Sequence, residues 1–149
     1  MYNAIIQLVT SFIGALGFAL LFNVRKALLG AAAFGGMLVW GVYIMADWAF
    51  GGSVFLASVC AAAVASIYAE AMARVEKAPA TVFYIPALIP LVPGGSLYYT
   101  MSYAVRSDWD MVSQYGSATF YCALGIACGM SIVLAMEYTM NKLTAQKRQ

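Results

Sequence analysis

The chain has 149 residues, of which 64% are apolar and only 9% charged, against about 45–50% and about 25% in a soluble globular domain. Its mean hydropathy of +0.83 agrees, and so short a chain has too little interior to hide that much apolar surface. Lipid is therefore the solvent for most of it, which excludes a soluble enzyme, a disordered tail and a nucleic-acid-binding domain. The formal charge of +2 matters less than where the charges sit.

Runs of about 20 apolar residues predict an all-α integral membrane protein of five transmembrane helices, at 4–22, 27–46, 52–71, 80–105 and 111–136. They leave short loops and a tail, hence one transmembrane domain, 1–149, and no second. Met1-Tyr2-Asn3 offers no basic stretch ahead of span one, so no cleavable signal peptide is expected. Asn23-Val24-Arg25-Lys26 follows that span, with Asn23 expected to cap its end in a solvated turn. Span two carries Gly30, Gly35, Gly36 and Gly41 and ends at Asp47-Trp48. Span three runs through Ala57-Ser58-Val59-Cys60-Ala61-Ala62-Ala63-Val64-Ala65-Ser66, small on nearly every face. Helices in lipid associate through close backbone approach, so span three should be surrounded by protein, from this chain or a partner. At its end Glu70 stands four residues before Arg74, an ordinary helical ion pair.

Span four is the most informative. Ile85-Pro86-Ala87-Leu88-Ile89-Pro90-Leu91-Val92-Pro93-Gly94-Gly95-Ser96-Leu97-Tyr98-Tyr99 holds three prolines, each removing a backbone donor and crowding the carbonyl four residues back. Two glycines follow, where the chain is expected to unwind. The break falls near the bilayer midplane, where unsatisfied backbone is tolerated only against protein or water, so a cavity is expected. Ser96 is the expected N-cap of the half-helix beyond it, whose free N–H groups after Gly95 would carry the positive end of the dipole. Such ends hold anionic groups in secondary transporters, and a carboxylate is the natural guest. The substrate-binding set is then Pro90, Pro93, Gly94, Gly95, Ser96, Tyr98 and Tyr99, the tyrosines adding hydroxyl donors. A proline kink that only shapes packing is the plain alternative. Arg106-Ser107-Asp108-Trp109-Asp110 closes this span. Span five carries Gly125-Ile126-Ala127-Cys128-Gly129, a G-x-x-x-G, and a tail from Asn141 to Gln149.

Arg25, Lys26, Arg74, Lys77, Lys142, Lys147 and Arg148 fall on one side of the five spans and only Arg106 on the other. Cytoplasmic loops hold the excess of Lys and Arg, so the N-terminus is expected outside and the C-terminus in the cytoplasm, against dual topology. Trp48 and Trp109 then share the outer interface. Intramembrane carboxylates are functional candidates by default. Here they lie at the margins: Glu70, and after it Asp47 and Glu137, are candidates for coupling export to the proton gradient. The three cysteines, Cys60, Cys122 and Cys128, read as free core thiols, and with no histidine no metal or cofactor is expected. The lack of histidine and of paired midplane carboxylates also makes an intramembrane enzyme a poor reading.

Pro79-Ala80-Thr81-Val82-Phe83 followed by Ile89-Pro90-Leu91-Val92-Pro93-Gly94 resembles the signature of the threonine/serine exporter (ThrE) family. Ala15-Leu16-Gly17-Phe18-Ala19 with Phe22-Asn23-Val24 resembles its first helix and inner loop, and length and layout match the small membrane subunit of its two-component members. The resemblance implies export of threonine and serine, or of a dicarboxylate such as succinate, across a bacterial cytoplasmic (inner) membrane. It implies a larger partner subunit with a cytoplasmic N-terminal domain. Five spans is an odd number, so a homologous partner beginning in the cytoplasm would insert upside down, forming an inverted repeat about a midplane site. A homo-oligomer is the other arrangement. The reading from a different class is a non-transporting assembly subunit whose broken helix docks a transporter.

Overall fold

A computed structural model describes residues 2–146, with side chains from 3 to 139; Lys147 and Arg148 lie outside the described residues, as does the Lys142 side chain. Six helices account for nearly all of them: α1 (Tyr2–Leu21), α2 (Leu29–Ala49), α3 (Val54–Glu76), α4 (Thr81–Leu88), α5 (Gly94–Val105) and α6 (Trp109–Gln146). Among the described residues there is no strand. Four of the helices are long and apolar enough to cross a membrane, and α4 with α5, bent by 48°, makes a fifth unit of the same kind.

Helix directions show that this bent pair is a crossing. Ala15 meets Gly36 and Leu8 meets Gly41, so α1 and α2 are antiparallel. Leu28, Ala32 and Phe83 cluster near one end, and Val39, Ala87 and Leu91 further along, so α4 runs parallel to α2. Gly125 lies against Ser58 and Gly129 against Ala62, so α6 runs parallel to α3. For α4 and α6 to run in opposite senses, the chain between them must traverse the bundle.

Helix ends follow from the residues there. Asn23, Lys77 and Ser107 adopt left-handed φ of 55°, 51° and 60°. In each case the next N–H reaches back five residues, as in Val24 to Ala19 (3.0 Å), Ala78 to Ala73 (3.1 Å) and Asp108 to Tyr103 (3.1 Å). This motif satisfies carbonyls that a helix end leaves free, and Asn23 caps span one as its sequence implies. Gly51 (φ 64°) supplies the same turn after α2. Asp108 then starts α6, its Oδ1 accepting from the Met111 N–H at 3.3 Å. That helix runs ten residues past the expected end of span five, to Gln146. No glycine or proline stops it there, and Lys, Leu, Ala and Gln favour its continuation.

The interior is built of small residues. Ala57, Ser58, Ala61, Ala62, Ala65, Ser66 and Ala69 form a buried face of α3, and α2, α4 and α6 all pack against that helix. Span three thus meets its own chain along that face, while Leu56 and Ile67 on the same helix stay exposed. The glycines of α6 make this possible: a Cβ on Gly125 would stand 2.7 Å from both the Phe55 carbonyl oxygen and the Ser58 Cβ. In lipid there is no hydrophobic gain from such contact, so dispersion between closely approached backbones carries the association. Much of the remaining surface is apolar and exposed, including Ile5, Val9 and Ile13 on α1 and Trp48 and Trp109.

Candidate functional site: a broken crossing beside a cavity

The break is narrower than three prolines suggest. Pro86 lies inside α4, and Ile89–Leu91 continues as a turn of 3-10 helix containing Pro90. Only Pro93 ends the helix: Val92, before it, is extended (φ −60°, ψ 122°), the conformation that a following proline favours. Gly94 and Gly95 do not unwind; they are the first two residues of α5. Pro93 occupies the N-cap position, so Ser96 is in the first turn and not the cap, and its side chain makes no capping hydrogen bond. A proline needs no acceptor and has a φ suited to a helix start, which explains why the helix begins two residues early.

This geometry leaves free donors. Gly94 N–H donates to the Val92 carbonyl (2.7 Å) and Leu97 N–H to that of Pro93 (3.0 Å). Between them the N–H groups of Gly95 and Ser96 have no acceptor among the described residues. The Leu91 carbonyl, also freed by the break, accepts from the Cys122 thiol at 3.4 Å, and that sulfur accepts from the Ser58 hydroxyl at 3.4 Å. A buried chain from α3 through α6 thereby ties down the end of the first half-crossing.

Beside the break lies a cavity of about 180 Å³. Pro90, Leu91, Val92, Pro93 and Ser96 form one wall, Trp40 and Tyr43 of α2 another, and Val54, Ala118 and Cys122 complete it. Drug-sized ligands fill pockets of about 300–1,000 Å³, so this volume suits a small metabolite. None of these residues is charged. Trp40 and Tyr43 stack at 5.0 Å between centroids, 14° from parallel. The Trp40 indole nitrogen is buried and has no hydrogen-bond partner.

Of the seven residues expected at the site, Pro90, Pro93 and Ser96 line this cavity, whereas Gly94, Gly95, Tyr98 and Tyr99 do not. Positions 94 and 95 are exposed, with open space where a side chain would project. Tyr98 and Tyr99 project from α5 into an aromatic cluster with Tyr103 and Tyr115, the Tyr99–Tyr115 centroids being 5.2 Å apart. Tyr98 follows the cavity-facing Ser96 by two residues, which turns it to another face of the helix, whereas Tyr99, three residues on, shares that face but lies nearly a turn beyond the cavity.

The acidic residues separate into two groups. Glu70 and Arg74 form their i,i+4 ion pair at 3.8 Å. The register that sets Gly125 against Ser58 brings Glu137 opposite Glu70, and Glu137 lies within electrostatic reach of both Glu70 and Arg74. Asp47 is at the other end of the bundle, one turn beyond Tyr43.

Sequence reasoning passed over the polar stripe of α1. Gln7, Thr10, Ser11 and Gly14 line a second cavity of about 230 Å³, whose other wall is Trp40, Ile89 and Pro90. Their spacing of three and four residues was the available signal. Trp40 was equally passed over, as one aromatic among many in an apolar run.

An all-helical, multi-pass membrane protein with one broken crossing and a small cavity at the break has the architecture of a solute transporter. The chain matches the family described as "Threonine/Serine exporter, ThrE" over residues 7–136, and it belongs to that family. Comparison with curated proteins gives no match, and comparison with solved structures gives none.

Proposed function

We propose that this chain is one subunit of a secondary transporter that exports a small hydroxy-amino acid, threonine or serine, across a bacterial inner membrane. The carrying observation is the pair of unpaired N–H groups on Gly95 and Ser96 at the start of α5, next to a cavity of about 180 Å³. A helix start offers roughly half a positive charge to an anion, which suits one carboxylate. No Lys or Arg lines that cavity to meet a second. An amino acid that brings its own ammonium group therefore fits better than a dicarboxylate.

The positive residues at one end of the bundle support an N-terminus outside and a C-terminus in the cytoplasm. In that orientation the break cavity shares Val54 and Ala118 with a cavity of about 350 Å³ beside the outer α2–α3 loop. Val54 and Ala118 are then the wall between the site and this outer cavity. Glu70 and Glu137, facing each other near the inner end, are the proposed coupling groups for a proton gradient, and Asp47 stands apart from them.

Export requires a second body. Free backbone N–H groups at membrane depth are tolerated only against protein or water. Yet α5 buries no residue and packs chiefly on α6, and among the described residues nothing lies within 4 Å of where a side chain would start at Gly94 or Gly95. A larger subunit with a cytoplasmic N-terminal domain, inserted in the opposite sense, would cover that face and complete an inverted repeat; a second copy of this chain is the alternative cover.

The test is efflux of labelled threonine and labelled succinate from preloaded vesicles, with this chain alone and with the larger subunit. Threonine efflux that needs both subunits is the expected result. Preference for succinate would overturn the amino-acid assignment, and efflux from this chain alone would remove the partner. Wild-type efflux when Gly95, Ser96 and Pro93 are all replaced would favour a docking subunit without a site.

A further inference from the structure

The cavity on α1 has no place in the reading above. It shares two side chains, Trp40 and Pro90, with the cavity at the break, so these two residues form the wall between them. Its chemistry differs from that of the break. The Thr10 hydroxyl donates to the Ile6 and Gln7 carbonyls (2.9 Å each) and the Ser11 hydroxyl to that of Gln7 (2.7 Å). With those protons used inside the helix, Thr10 and Ser11 present the groove with oxygen lone pairs. The Gln7 amide makes no side-chain hydrogen bond among the described residues. Polar groups facing the same space in a membrane-embedded helix are costly unless water or solute reaches them. The wall itself carries a donor without an acceptor, the buried Trp40 N–H.

We infer that the Gln7–Thr10–Ser11 groove is a second solute station on the transport path, and that Trp40 is the residue a solute must pass between it and the break. The station is built for the other end of the molecule. Lone pairs on Thr10 and Ser11 with the Gln7 carbonyl oxygen accept from an ammonium, which has only donors, while the Trp40 N–H, sealed inside the wall, donates to a solute hydroxyl or carboxylate oxygen only once the indole turns. A second carboxylate would meet mostly acceptors there. The groove thus selects the zwitterion over the dianion at a point separate from the helix start. Rotation of the indole away from Tyr43 would join the two cavities.

The inference rests on the transport reading for its solute, so the test carries a control at each station. Ser11→Cys and, separately, Ser96→Cys are placed in a Cys60→Ala, Cys128→Ala chain within native membrane vesicles. Thiol labelling is read peptide by peptide, with threonine, succinate or no solute. The inference predicts that threonine slows labelling at both positions and that succinate leaves position 11 unprotected. Protection at 96 alone would overturn the second station and leave the transport reading standing. Protection at neither would overturn both. Trp40→Phe keeps an aromatic ring beside Tyr43 while removing the N–H and shortening the ring system; it should raise the KM for threonine about tenfold with the maximal rate held. An unchanged KM would remove Trp40 from the path, and loss of maximal rate alone would make it a packing residue.

Discussion

α4 and α5 belong to one crossing, yet α4 buries Phe83, Pro86 and Ala87 against its neighbours while α5 buries nothing. The first half is gripped on three sides by α1, α2 and α3; the second leans chiefly on α6. Glycines mark the same contrast. Gly35 and Gly36 admit Tyr68, Ala15, Ala87 and Pro90 at their Cα positions, whereas Gly94 and Gly95 face open space. The difference teaches that one half of the crossing is packed scaffold and the other is left open along its length, which on the proposed function makes it the working surface. Tight packing around α4 holds the break in position, and the absence of packing around α5 leaves its first N–H groups available.

The largest effect should come from Gly36→Leu, which would drive a side chain into Ala15, the Pro86 carbonyl and Pro90. No folded protein should survive detergent extraction, whereas Gly94→Leu should fold and insert normally yet fail in efflux. Equal folding of the two variants would erase the contrast. Phe83→Ala should cost roughly 2–4 kcal/mol in a detergent unfolding titration, against about 0.5 kcal/mol or less for Leu97→Ala on α5. Cys122→Ala strands the Leu91 carbonyl and should cost about 1–2 kcal/mol. Cys122→Ser, which keeps a donor, should recover most of that loss in the same titration. Lys77→Gly relieves a left-handed residue remote from the break and should raise stability by up to about 1 kcal/mol with efflux unchanged.

Much of this was legible in the amino-acid order, because lipid imposes simple lengths. Runs of about 20 apolar residues located the five crossings to within a few residues, the last excepted. The G-x-x-x-G at Gly125 and the small face of α3 foretold a close contact, and the structure shows that they meet each other. The position of the break was less legible. Pro86, Pro90 and Pro93 look alike in sequence, but the first two fall where helical and 3-10 hydrogen bonding can absorb them, and only Val92–Pro93 turns the chain. The rest depended on register. Glu137 faces Glu70 because α6 runs parallel to α3 with one particular offset, which no local pattern specifies. The second cavity needed α1, α2 and the 3-10 turn together, although the spacing of Gln7, Thr10 and Ser11 was visible throughout.

The central claim is that the turn at Val92–Pro93 makes the site. Pro93→Ala restores an N–H that can donate to the Ile89 carbonyl, now held by Val92 N–H at 3.2 Å, and so favours one continuous helix. Pro86→Ala alters a residue already inside α4 and outside both cavities. Threonine efflux should be abolished by Pro93→Ala and largely retained by Pro86→Ala, with both variants inserted in wild-type amounts. Wild-type efflux from Pro93→Ala would contradict the account.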